Sequence, residues 1–168
     1  MSVILNNKNC VVNDNNMKSN LIQKGYGFLK EKELLLDLFE SYYLLEKKKI
    51  NIIDLKNKKI TKEQLLDYSI KEIKDFRDKY IVFKNFRDEG YVIKDGAIFG
   101  FDFRIYENKN LKEHTHTKYV VDVLRSQKDT ITKLIKSERL ANNIKTAYIL
   151  AILDMEDKII KIKIERMI

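Results

Sequence analysis

The only two histidines of this 168-residue chain, His114 and His116, stand two positions apart, and the second follows Tyr106 by ten. Three chemistries fit so concentrated a placement. A His-x-His pair can share one metal ion, but a hydrolytic zinc site calls for three protein ligands, and no other ligand cluster accompanies this pair. Acid–base catalysis is the second. Splitting a phosphodiester with its own neighbouring hydroxyl requires a base at that hydroxyl, an acid at the leaving oxygen and a cation facing the charge that builds on phosphorus. Histidine titrates near neutrality and suits the acid. Lysine supplies a point charge, and a tyrosine, which ordinarily ionises near a pH of about 10, becomes a better base beside a cation. In the third reading both imidazoles are simply solvated, as is natural for His114 in a loop rich in Lys and Thr.

The elements that must hold these residues follow from the apolar spacing. In "YVIKDGAIFGFDFRIYE" (residues 91–107) the Asp95-Gly96 pair predicts a hairpin turn. Along its second strand Phe99, Phe101, Phe103 and Ile105 alternate with Asp102, Arg104 and Tyr106, so the tyrosine lies on the polar face. A strand "TKYVVDVL" follows the histidines, then a helix over 130–140 carrying Ile131, Leu134 and Ile135. The chain continues into a strand "TAYILAIL", an acidic turn "DMED" and the alternating strand "KIIKIKIERMI". Upstream, "KYIVFKNFRDEG" reads as a helix ended by Gly90.

Residues 1–27 read as a meander of short strands. "FLKEKELLLDLFESYYLLEKKK" places Leu35, Leu38, Phe39, Tyr42 and Leu45 on one helical stripe, and "INIIDL" reads as a strand. Thr61 and Gln64 form a capping box opening a helix with Leu66, Ile70, Ile73 and Phe76 on its buried side. Mixed strands and helices with tight hairpins indicate an α+β protein of two small domains, 1–75 and 76–168.

Composition narrows the partners. Charged residues make up 35% of the chain and Lys+Arg (33) exceeds Asp+Glu (25), a net charge of +8 that favours polyanions such as nucleic acid. One cysteine, Cys10, rules out a disulfide framework within the chain and fits a reducing cytoplasm. No apolar run approaches the length of a membrane span, and the N-terminus lacks the features of a signal peptide.

Three stretches, "YIVFKNFRDEGYVIKDGAIFGFDFRIYE", "HTKYVV" and "RLANNIKTAYILAILD", together resemble the catalytic domain of the archaeal tRNA-splicing endonucleases over roughly residues 63–156. The earlier residues resemble that family's smaller N-terminal domain more loosely. The most specific piece is the Gly-x-Asp-Phe-x-x-Tyr signature, seen as Gly100, Asp102, Phe103 and Tyr106. The family's histidine stands three residues before an aromatic that leads an apolar strand. His116, followed by Tyr119, Val120 and Val121, satisfies this, and His114 does not.

The resemblance implies a cofactor-free, metal-independent RNA endonuclease that cuts precursor tRNA at bulge-helix-bulge exon–intron junctions. It would leave 2′,3′-cyclic phosphate and 5′-hydroxyl ends. Tyr106 would be the general base, His116 the general acid and Lys145 the transition-state cation. The family's lysine stands seven residues after an arginine, whereas Arg139 to Lys145 is six. An ungapped count therefore puts Thr146 in its place, and a one-residue gap restores Lys145. Arg139 and Arg166 would pinch a flipped base through cation–π contacts. The acidic turn Asp154, Glu156 and Asp157 would insert into a basic pocket of a neighbouring subunit. Four copies, or two copies with two of a structural subunit, would form the working tetramer. The alternative reading is a non-catalytic structural or RNA-binding subunit of the same assembly. A metal-dependent nuclease of the restriction-enzyme type lacks its expected Asp then Glu-x-Lys strand pair.

Overall fold

The computed structural model describes residues 2–107, 116–125 and 131–165. The chain is α+β, divided into two compact units, Met1–Phe76 and Arg77–Ile168, each built on one mixed sheet.

The first unit runs β1 (Ser2–Asn6), β2 (Asn9–Val12), α1 (Asn15–Gln23), β3 (Phe28–Lys30), β4 (Glu33–Asp37), α2 (Leu38–Glu46), β5 (Asn51–Ile53), β6 (Lys59–Ile60) and α3 (Lys62–Glu72). Its sheet order is β3-β4-β2-β1-β5-β6, antiparallel except between β1 and β5. Three sequence expectations are corrected here. Residues 15–23 are helical rather than part of a strand meander, because Asp14 caps Met17 N–H at 2.6 Å and Met17 and Leu21 bury one face. The stripe from Leu35 to Leu45 is split. Leu34, Leu35 and Leu36 are all buried in β4, and the helix starts only at Leu38, behind a capping box made by Asp37 and Glu40. The Thr61–Gln64 box is present, but α3 buries Leu65 and Ser69 while Ile70 is exposed. Phe76 lies beyond α3 and stacks on Phe39 at 4.7 Å.

The second unit runs from α4 (Phe76–Asp88), which begins at the last residue of the first unit, through β7 (Val92–Asp95), a 3₁₀ turn (Ala97–Phe99), β8 (Phe103–Tyr106) and β9 (Tyr119–Leu124). It continues through α5 (Ile131–Asn143), β10 (Ala147–Leu153) and β11 (Ile159–Ile164). The sheet order is β11-β10-β9-β8-β7, with β9 and β10 parallel and every other pair antiparallel. A parallel pair needs a crossover, and α5 provides it.

The two faces of this sheet are covered differently. Phe83 of α4 meets Phe103 at 6.0 Å, and Lys161 of β11 lies 4.1 Å over the ring of Phe86. On the opposite face Phe101, Val120, Ala141 and Tyr148 form a core against Leu134, Leu140 and Ile144 of the α5 segment. Ile131 and Ile135, expected to pack, are exposed instead. The β7–β8 link is also longer than a two-residue turn, because Asp95 pairs with Phe103 across the 3₁₀ turn. Phe99 is consequently exposed while Phe101, Phe103 and Ile105 are buried. Gly96 is required there, since an added Cβ would lie 2.8 Å from the Phe101 carbonyl.

Candidate active site

Strand register gathers the chemistry-bearing residues. Tyr119 pairs with Ile105 on β8 and with Ala147 on β10. Tyr106 lies one residue past Ile105, His116 three before Tyr119, and Lys145 two before Ala147. All three therefore stand at the same end of three adjacent strands. Neighbouring strands lie about 4.8 Å apart, so β8 and β10 are separated by about 10 Å at this end.

Each member is held by a different local device. Tyr106 closes β8 half-buried, on the sheet face that carries α5. The guanidinium of Arg104 lies 5.9 Å from its ring and 5.1 Å from that of Phe99, and its Nε donates to the Asp95 carbonyl at 2.9 Å. Positive charge thus sits beside the phenol. His116 is exposed. Downstream, Lys118 N–H donates to the Ile105 carbonyl at 2.8 Å, and the Lys118 ammonium reaches Glu107 at 2.5 Å between the rings of Tyr91 and Tyr119. The Glu107 hydrogen bond raises the Lys118 pKa and keeps that ammonium charged.

Lys145 is exposed and adopts left-handed backbone with φ of 54°. Its N–H turns back to the Asn142 carbonyl at 2.9 Å, and Thr146 N–H to that of Ala141 at 3.0 Å, so this residue terminates α5 where glycine is usual. A pocket of about 530 Å³ opens beside it, lined in part by Glu138, Asn142, Thr146 and Ile164.

The signature residues upstream of Tyr106 are structural. Gly100 takes φ of 81° to leave the 3₁₀ turn. Asp102 accepts from Val123 N–H at 2.8 Å and pairs with Lys79 at 2.8 Å. Sequence reasoning missed the group beneath it. Asp122, buried in β9, accepts from Ser137 Oγ and Tyr148 OH at 3.0 Å each and from Asp102 N–H at 3.3 Å. Burial, and then the charge of Asp122, pushes the Tyr148 hydroxyl pKa well up, so it stays a donor. The visible signal was a lone aspartate inside the apolar run "YVVDVL".

The other candidates stand apart from this end. Arg139 is an exposed residue of α5. Asp154, Glu156 and Asp157 follow β10 and so lie at the opposite end of the sheet. The Asp154 carboxylate accepts from the N–H groups of Glu156 and Lys158 at 2.8 Å, Glu156 pairs with Lys158 at 2.5 Å, and Asp157 accepts from Arg125 at 2.5 Å. Beside them, β11 is an edge strand with Ile160 and Ile162 exposed. His114 and Arg166 lie outside the described residues. Among the described residues no group of three or more His, Cys, Asp or Glu could hold a metal ion, and no helix is long and apolar enough to cross a membrane.

Family comparisons cover both units. Residues 76–161 match the model of the tRNA intron endonuclease catalytic C-terminal domain, and residues 1–66 match that of the N-terminal domain. The chain is 33% identical to a tRNA-splicing endonuclease of Pyrococcus abyssi over 84% of its own length and 81% of the relative's. It is 34% identical to that of Pyrococcus furiosus, over 86% and 82%. It is 32% identical to that of Methanococcus vannielii, over 93% and 88%.

Proposed function

Because this chain belongs to the tRNA intron endonuclease family, we propose that it is a catalytic subunit cutting precursor tRNA at bulge-helix-bulge junctions without a metal ion. The observation that carries this reading is the meeting of three strand ends, bearing Tyr106, His116 and Lys145, at one end of the second sheet.

In the proposed reaction Tyr106 takes the proton of the 2′-hydroxyl at the scissile nucleotide. The 2′-oxygen bonds to phosphorus while the bond from phosphorus to the 5′-oxygen breaks. His116 gives its proton to that leaving oxygen, and Lys145 faces the extra negative charge on the phosphorane. The products are a 2′,3′-cyclic phosphate and a 5′-hydroxyl. Arg139 and Arg166 would hold a splayed base, consistent with RNA recognition by shape and stacking rather than by helical base sequence. Assembly as a homotetramer or with a structural subunit, through the acidic turn and the apolar β11 edge, belongs to the same reading, as does a cytoplasmic location.

The test is to purify this chain alone, measure its mass in solution and assay a bulge-helix-bulge RNA in excess EDTA. Cleavage with cyclic phosphate ends is the expected result. Activity that vanished on chelation and returned with magnesium or zinc would overturn the metal-independent mechanism. A second arm uses a substrate whose 5′-oxygen is replaced by sulfur, a better leaving group. It should rescue His116→Ala but not Tyr106→Phe, because only the former lacks its acid.

A further inference from the structure

The hydroxyl of Thr146 donates to the Thr117 carbonyl at 3.2 Å, with the Ile144 carbonyl at 3.3 Å as a second acceptor. Thr117 follows His116 directly and Thr146 follows Lys145 directly, so this bond joins the two chain segments that carry the acid and the cation.

The reason a side chain makes this link lies in the backbone. β9 and β10 pair from Tyr119 and Ala147 onward. Nearer the candidate site β10 cannot extend that ladder, because the N–H groups of Lys145 and Thr146 are both committed to closing α5, on Asn142 and Ala141. No main-chain donor of these two residues is left for the β9 segment. The Thr146 hydroxyl stands in for the missing rung. Thr146 is half-buried at this point, which limits competition from water.

We propose that Thr146 is a positioning residue of the cleavage reaction, fixing the separation of His116 and Lys145 by tying Thr117 to the end of α5. This inference rests on the catalytic roles given above to those two residues. Each acts on a different atom of one phosphorane, the leaving oxygen and the equatorial charge, so their mutual placement sets the rate, and displacements of about 1 Å can cost on the order of 100-fold. The residue that an ungapped count would put in the lysine's place thus has a role that needs a hydroxyl and not a charge.

Thr146→Val keeps the shape and β-branching but removes the donor, whereas Thr146→Ser keeps the donor. Expected is a fall of about tenfold or more in single-turnover rate at saturating RNA for Thr146→Val, with RNA affinity unchanged, and recovery of most of that rate in Thr146→Ser. A merely structural threonine would move affinity or melting temperature and would not show this split. In a double-mutant cycle Thr146→Val should add little to the loss from His116→Ala or from Lys145→Ala. The proposal is overturned if Thr146→Val cleaves at the parental rate, if Thr146→Ser is as slow as Thr146→Val, or if the effects add fully in both cycles. Failure of the catalytic assignment itself would look different, since His116→Ala and Lys145→Ala would then leave the rate intact.

Discussion

Asp157 accepts a 2.5 Å hydrogen bond from Arg125 Nη2, while Nε of the same guanidinium donates to Asp78 at 2.7 Å and Nη1 to the Asp154 carbonyl at 3.2 Å. One arginine after β9 thus ties the β10–β11 turn to α4. The turn is anchored within its own protomer, with Met155 fully exposed at its tip. Asp154 is committed to the turn's own N–H groups, so Glu156 and Asp157 are the acids to change when docking is tested. If this chain assembles as the proposed tetramer and the turn seats in a basic partner surface, Glu156→Ser with Asp157→Ser shifts it toward dimers. The effect should be larger at low salt and shrink near 1 M, where the screening length falls to about 3 Å and the parent loses the same attraction. Sedimentation velocity checks this, and an unchanged profile across salt would show the turn to be only solvated. Arg125→Met should weaken assembly in the same direction while altering subunit stability little, since exposed ion pairs contribute about 0–1 kcal/mol.

On the role proposed for Lys145, activity and backbone strain fall on one residue. Its φ of 54° is one that glycine adopts without penalty. Lys145→Gly should therefore raise stability by about 0.5–1 kcal/mol in denaturant titration while lowering the single-turnover rate. Lys145→Ala should lose the rate without that gain. A glycine variant that is both more stable and fully active would remove the lysine from the mechanism and leave only its role as a helix terminus.

Cys10 makes the stability of the first unit sensitive to alkali. Burial, the largest cause, pushes its thiol from 9.0 up to about 11. The folded state then holds the proton more tightly than the unfolded chain. The resulting stabilisation is complete below about pH 9 and is lost as pH rises toward 11, by about 2–3 kcal/mol over the two-unit window. Urea unfolding across this range should show a steeper decline for the parent than for Cys10→Ala. Parallel slopes would mean that the thiol ionises equally in both states.

Tyr106 and His116 stand out in the sequence because each lies a short, fixed distance from aromatics of plainly alternating strands, and the family resemblance singles them out as candidates. For Lys145 no such local spacing exists. The segments that carry Lys145 and His116 come together only through the parallel pairing of β9 with β10, and nothing within either segment states which residue of one faces which of the other. The stripe from Leu35 to Leu45 reads as one helix because consecutive leucines satisfy a buried strand and a helix equally well. The arbiter was Asp37 with Glu40, an Asp-x-x-Glu cap that marks the boundary in the sequence itself. Ile131 and Ile135 misled for the opposite reason. Polarity alone suggested they were buried, but α5 turns Ser137 and Ala141 inward toward Asp122 and Tyr148.

The parallel pairing of β9 with β10 has a consequence during synthesis. β8 and β9 leave the ribosome first, and β10 can dock beside β9 only after α5 has formed and crossed the sheet. Such non-local pairing is slow compared with closing the β7–β8 link. On the catalytic roles proposed here, a half-made chain carries Tyr106 and His116 before Lys145 is docked beside them. On the same roles, the transition-state cation joins the acid and the base only once the crossover through α5 is complete.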